Sequence, residues 1–237
     1  MSLSVTVAGE PVQLRPAGTL WLPQYSTLVV ADLHLEKGSA YAMRGQLLPP
    51  YDTRETLQRL TDEVRETAPD RLVFLGDSLH DMGAISRIPV QDREAIIALT
   101  QQLELVWISG NHDPDGGSAF GGKTLETLRL GALELCHEPK SGHQHGEVAG
   151  HLHPCAKLSG AGGSLRRRCF VSDGKRLILP AFGAYTGGLN VLDEAYSGLF
   201  DGKTCAYLTG RKISPVRLDR LSHDRQLRSR TTRVRAL

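Results

Sequence analysis

Leu28-Val29-Val30-Ala31-Asp32-Leu33-His34 joins a short apolar run to a carboxylate and an imidazole two residues apart. A run of this length fits a buried strand, and strand alternation would turn Asp32 and His34 to the same side. The arrangement recurs down the chain. Leu72-Val73-Phe74-Leu75 leads to Gly76-Asp77, Leu105-Val106-Trp107-Ile108 to Gly110-Asn111-His112-Asp113, and Glu147-Val148-Ala149 to Gly150-His151-Leu152-His153. Between the first three runs, apolar spacing predicts two helices. One covers 53–68 through Leu57, Leu60 and Val64, with Asp52 as cap and Pro69 as stop; the other covers 91–103 through Ile96, Leu99 and Leu103. Strand, helix and strand alternate, and open α/β sheets build their sites beyond the carboxyl ends of strands.

The residue types at those ends specify the chemistry. Asp32 and Asp77 are hard carboxylates, Asn111 is a neutral oxygen donor, and His34, His137, His151 and His153 offer imidazole nitrogen. A mixed oxygen and nitrogen set suits manganese, iron or zinc, and the set is large enough for two ions. A specified tetrapeptide such as Gly-Asn-His-Asp arises by chance in roughly one of 700 chains of this length. Asp32-Leu33-His34 or Gly76-Asp77 alone would be weak signals; four blocks in order are a strong one.

The ordered blocks resemble the D-x-H, G-D, G-N-H-[DE] and G-H-x-H signatures of the calcineurin-like metallophosphoesterase superfamily, from about Val29 to His153. The stretches 31–38, 76–81 and 150–154, with Leu179-Pro180-Ala181-Phe182-Gly183-Ala184-Tyr185-Thr186-Gly187-Gly188, are similar to its PdeM group of ligase-associated DNA-damage-response endonucleases. That resemblance implies a four-layer αββα sandwich of two mixed β-sheets flanked by helices. It implies one ion held by Asp32, His34, Asp77 and His153, a second by Asp77, Asn111, His137 and His151, and attack on a phosphodiester by a hydroxide bridging the two. Manganese is the metal expected first, with iron and zinc as alternatives. His112 falls outside the implied ligand set and is free to act as general acid, with Asp113 to orient it. His137 precedes the last block, and His143 and His145 compete with it. His80 stands where the generic pattern has Asp; it and Asp81 are candidates to support the ligands from behind. Lys37 and Arg44 are candidate phosphate contacts, with solvated surface the plainer reading.

DNA or another phosphodiester is the expected substrate, in DNA repair, and the resemblance implies a functional link to a DNA ligase, a helicase and a nuclease. A general small-molecule phosphoesterase or phosphatase is the alternative, and a non-catalytic scaffold a third. The retained ligand set and His112 count against the scaffold.

The 237 residues, 40% hydrophobic and 23% charged, suffice for one sizeable core. One catalytic domain is expected over 1–216, followed by an Arg-rich tail over 217–237. That tail holds seven Arg against Asp219 and Asp224, a charge of +5 in a chain of net +2, which leaves 1–216 at −3. A basic terminus can hold a phosphate backbone but is more often simply solvated. No segment has the length and apolarity of a membrane span or a signal peptide, so a cytoplasmic protein is expected; oligomeric state stays open. Cys136, Cys155, Cys169 and Cys205 form no C-x-x-C pair and read as reduced structural thiols. Gly117-Ser118-Ala119-Phe120-Gly121-Gly122-Lys123-Thr124 satisfies the P-loop pattern, but the metal block intervenes between it and the buried strand a P-loop requires. It reads as a loop leading to a short helix around Leu125 and Leu128. The Gly-rich stretches 115–122 and 159–164 read as loops.

Overall fold

A computed structural model describes residues 1–224. The first sheet takes its seven strands in chain order: β1 (Leu3–Val7), β2 (Glu10–Leu14), β3 (Leu20–Leu22), β4 (Thr27–Val30), β5 (Arg71–Leu75), β6 (Glu104–Ile108) and β7 (Lys123–Leu125). The pairings from β1 to β4 are antiparallel and those from β4 to β7 parallel. The second sheet holds β8 (Thr127–Leu130), β9 (Leu133–Cys136), β10 (Glu147–Ala149), β11 (Pro154–Gly160), β12 (Gly163–Ser172), β13 (Leu177–Ile178), β14 (Leu189–Asn190), β15 (Cys205–Leu208) and β16 (Ser214–Arg217). Its main path runs β14-β11-β12-β13-β10-β9-β8, with β15 and β16 attached through β12.

The two mixed sheets pack face to face. Val29, Val73 and Val106 from the first meet Leu135, Val148, Phe170 and Leu177 from the second in one continuous core. The opposite side chains of β4, β5 and β6, among them Val30, Phe74 and Trp107, pack under α2 (Asp52–Thr67) and α4 (Val90–Thr100) through Leu57, Leu60, Ile96 and Leu99. Strands buried on both faces read as unbroken apolar runs, which is why 72–75 and 105–108 were legible. Asp52 and Glu55 in the first turn of α2 and Arg65 in its last complement the helix dipole, and Ala68 takes a left-handed conformation just before Pro69. Two short helices, α1 (Lys37–Met43) and α3 (Ala84–Arg87), complete the helical side. On the far side of the second sheet the covering layer is irregular among the described residues. Val191, Leu199 and the 3-10 turn Glu194–Tyr196 cover Ala156, Val171 and Ala206 there.

Three local expectations change. Residues 123–130 form β7 and β8 instead of a short helix, with β7 completing the parallel ladder beside β6 and β8 pairing with β9. The stretch 159–164 is the tip of the long β11–β12 hairpin, which turns at 161–162. The expected domain boundary at 216/217 falls inside β16, and the chain stays packed beyond it: Leu218 and Leu221 join the outer core, and the Ser222 N–H donates to the Lys157 carbonyl. The remaining tail residues, 225–237, lie outside the described residues. The P-loop-like stretch folds onto Trp107, whose indole N–H donates to the Gly121 carbonyl at 2.7 Å. Among the described residues no helix is long and apolar enough to cross a membrane.

Candidate metal centre

The four blocks converge at the carboxyl ends of β4, β5, β6 and β10, but not through the pleat of a strand. β4 stops at Val30, and Asp32, His34 and Glu36 each take a positive φ, of 54°, 45° and 65°. Asp77, His151 and His153 do the same, at 46°, 67° and 47°. A left-handed residue at every second position turns both side chains of a pair to one side, the same convergence by a different backbone. Such residues cost of order 1 kcal/mol or more each and persist only where surrounding structure holds them. Here the loops are laced together: Asp32 N–H donates to the Gly76 carbonyl at 3.3 Å, His34 N–H to Asp77 at 2.9 Å, Leu35 N–H to Ser78 at 2.9 Å and His80 N–H to Leu35 at 3.0 Å. The motif glycines permit this approach. A Cβ at Gly110 would run into Asp77 and Asp113, and one at Gly76 into the His137 ring.

Two donor clusters result. Asp32 Oδ1 lies 3.3 Å from His153 Nε2, which lies 3.4 Å from His34 Nε2. In the second cluster, His137 Nε2 stands 3.0 Å from Asn111 Oδ1, 3.2 Å from His151 Nδ1 and 3.4 Å from Asp77 Oδ1. Asp77 spans both, since its Oδ2 lies 3.7 Å from His34 Nε2. Ligands about 2.0–2.2 Å from one ion stand roughly 2.9–3.5 Å apart at tetrahedral or octahedral angles, so both clusters have the spacing of a coordination shell. All seven sequence-predicted ligands are brought together; Asp32/His34/His153 and Asp77/His137/His151 each have the spacing to surround one ion, and so does His34/Asp77/His112. His143 and His145 are exposed and stand in none of these groups.

The electrostatics suit cations. Burial pulls His34 down to about 3, so it is neutral with its lone pair available. Burial pushes Asp77 up, but the hydrogen bond and charge of His137 and the His112 N–H outweigh it and hold the carboxyl well below its ordinary range. Burial pulls His137 down, yet the bond to Asp77 and the charges of Asp32 and Asp77 raise it to about 9. Its Nδ1–H donates to the Leu75 carbonyl at 3.0 Å, which fixes the tautomer and leaves Nε2 to the ligand. Without metal, His137 therefore keeps a proton on Nε2 up to about pH 9, and metal must displace it. Affinity should rise about tenfold per pH unit from pH 7 towards 9 and then level off. Calorimetric metal titrations in buffers of different ionisation heat will read that proton; a pH-independent affinity would exclude the competition.

His112 and Asp113 part company. His112 is half-exposed, with Nε2 3.9 Å from Asp77 Oδ2. Its Nδ1 partner is the His80 carbonyl at 3.0 Å, which can only accept. Asp113 is buried, and its Oδ2 accepts the N–H groups of Ser78 and Leu79 at 2.8 and 3.0 Å. Asp113 thus fixes the loop that carries Asp77, and the expected orienting partner of His112 is replaced by a backbone carbonyl. Burial raises Asp113 to about 7. The Leu75 and His80 carbonyls left no mark in the motifs, because a carbonyl is common to every residue type. The His80 ring stacks on that of His112 with centroids 5.9 Å apart. Asp81 instead pairs with Arg87 at 2.8 Å; Arg44 is exposed and Lys37 half-buried. Burial pushes the Cys136 thiol up to about 12, an inert group pointing to the Glu138 carbonyl. A surface concavity of about 610 Å³ between α2 and α4 contains none of these ligands.

Residues 25–174 match the family model of calcineurin-like phosphoesterases. Among solved structures, the chain is similar to Pseudomonas putida nuclease MPE, with 27% identity, a TM-score of 0.69, and coverage of 91% of this chain and 100% of that one. It also matches Yfce, a phosphoesterase from E. coli, at 13% identity and a TM-score of 0.40, over 80% of this chain and 97% of the other. No curated protein sequence matches it significantly. The matched span contains every ligand of both clusters as well as His112, and the chain belongs to the calcineurin-like phosphoesterases, metal-dependent hydrolases of phosphoesters.

Proposed function

We propose that this protein is a manganese-dependent phosphodiesterase that cuts DNA as a repair endonuclease. The observation that carries the chemistry is Asp77, with one carboxylate oxygen facing each donor cluster. The step to DNA is supported by the 27% identity to a nuclease across 91% of the chain and by the likeness of 31–38, 76–81 and 179–188 to the PdeM group. That likeness also supports a role beside a DNA ligase, a helicase and a nuclease.

Asp32, His34, Asp77 and His153 would hold one divalent ion, and Asp77, Asn111, His137 and His151 the other. Bound there, the pair supplies Lewis acidity to the phosphoryl oxygens and lowers the pKa of water. The remaining work falls to His112. Its Nδ1–H is committed to the His80 carbonyl, so Nε2 faces the centre beside Asp77, and the protonated ring presents an N–H there. That hydrogen is placed for transfer to the leaving alkoxide. Proton donation by a positioned side chain typically gains 10²–10⁴-fold. Asp113 contributes by holding Ser78 and Leu79, which keeps Asp77 between the clusters.

The test assays metal-stripped protein, with and without manganese, on a phosphodiester, a phosphomonoester and supercoiled DNA. Manganese-dependent cleavage of the diester and of DNA supports the reading. Turnover of the monoester alone would make the protein a phosphatase, and no metal-dependent turnover would make it a scaffold.

A further inference from the structure

The β11–β12 hairpin leaves the metal centre directly, since Pro154 follows the ligand His153. From 154 to 172 it carries Lys157, Arg166, Arg167 and Arg168 and not one carboxylate, in a chain whose residues 1–216 sum to −3. Register sorts these cations. Cys155 opposes Arg168 and Lys157 opposes Arg166, so Lys157, Arg166 and Arg168 share a face, while Arg167, opposite Ala156, lies on the other.

The shared face is tied to the metal-site loops. Arg168 donates to the carbonyls of Gly183 and Thr186 at 2.7 and 2.8 Å, and the Gly183 N–H donates to the carbonyl of Asp32. Farther out, Arg166 donates to the Gly188 carbonyl at 2.6 Å and meets Asp224 in an exposed pair at 3.3 Å, a contact that a phosphate can replace. The Arg167 side chain is exposed and makes no hydrogen bond or ion pair among the described residues. At about 3.3 Å per strand residue, Lys157 stands roughly 13 Å along the strand from His153 and the tip roughly 23 Å. With about 3.4 Å of duplex axis per nucleotide of one strand, that is some four to seven nucleotide steps.

Resting on the DNA-phosphodiesterase reading, we propose that this hairpin is a backbone-holding arm for polymeric nucleic acid. Lys157, Arg166 and Arg167 take phosphates several nucleotides from the bond being cut, and Arg168 fastens the arm to the 183–186 loop beside Asp32. The arm acts only on long substrates, because a small diester fills the metal centre without reaching it.

The test compares manganese-loaded wild type with the triple variant Lys157→Gln/Arg166→Gln/Arg167→Gln and with Arg167→Glu alone. Each is assayed on plasmid DNA, a 40-nucleotide strand and bis(4-nitrophenyl) phosphate from 50 to 200 mM salt. For the triple variant, kcat/KM on both DNAs should fall at least about tenfold at 50 mM salt. Its logarithmic salt slope should flatten by about 2 on the single strand and by nearly 3 on the plasmid, the expectation for three lost phosphate contacts. Arg167→Glu should show the same direction with a smaller loss, and the small diester should be hydrolysed as by wild type. DNA kinetics and salt slope equal to wild type in both variants would overturn the arm while leaving the nuclease reading intact. If the triple variant also loses the small diester, Arg167→Glu decides, and an unchanged DNA rate there overturns the proposal. Wild type that hydrolyses the small diester but never cuts DNA would remove the nuclease reading itself.

Discussion

Asp77→Asn is expected to abolish turnover on every phosphoester, lowering kcat/KM about a thousandfold or more, and to empty the metal centre in the same step. The carboxylate gives one oxygen to each cluster, 3.4 Å from His137 Nε2 and 3.7 Å from His34 Nε2. Its charge also offsets that of His137 in a buried setting. An amide keeps the shape but supplies a single neutral oxygen, so one ion loses its ligand, the other keeps only a weak one, and the pair loses its shared negative charge. Asn is also among the residues that tolerate positive φ, so the backbone at 46° is not the cause of any loss. Metal content by atomic emission, read beside the rates, checks the assignment. Full metal occupancy with turnover gone would make Asp77 something other than a shared ligand.

His112→Asn should give the opposite split: full metal, and kcat reduced about 10²–10⁴-fold on DNA or an alkyl diester, with a much smaller loss on a nitrophenyl diester. The reasoning is geometric. His112 reaches the centre from its half-exposed side, with Nε2 inward and Nδ1 bonded to the His80 carbonyl, while its backbone N–H donates to Asp77 at 3.0 Å. Substitution keeps that backbone bond and removes only the imidazole. A good leaving group needs little protonation and so should be spared. Equal losses on good and poor leaving groups would make His112 a binding group, and loss of metal would make it a ligand.

The parallel strands and their terminal ligands were legible because two properties coincide there: strands buried on both faces give unbroken apolar runs, and donor atoms of few kinds follow directly. Helices α2 and α4 were legible for the same reason, since Leu57, Leu60, Ile96 and Leu99 keep helical spacing against one sheet face. Asp32 and His34 converge as strand alternation implies but through a different backbone, because nothing in Asp32-Leu33-His34 announces alternating left-handed residues. That backbone is imposed by the loop at Gly76-Asp77-Ser78, 44 residues away from it in sequence. Residues 123–130 misled because Leu125 and Leu128 are three apart, a helical spacing, while their strand partners on β6 and β9 decided the matter. Asp113 next to His112 suggested a dyad; the loop instead turns its carboxylate towards Ser78 and Leu79. The hairpin tip looked like a flexible connector because Gly160 and Gly163 dominate its composition, yet the two glycines face each other as the last pair of the ladder.

The donors come from both sheets: Asp32, His34, Asp77 and Asn111 follow strands of the first, and His137, His151 and His153 follow strands of the second. His34 and His153 meet although 119 residues separate them. An ion between them is, in polymer terms, a cross-link closing a loop of half the chain, formed only when both sheets are in register. Its binding free energy is then also folding free energy, and the chemistry cannot be switched on before the whole sandwich has assembled.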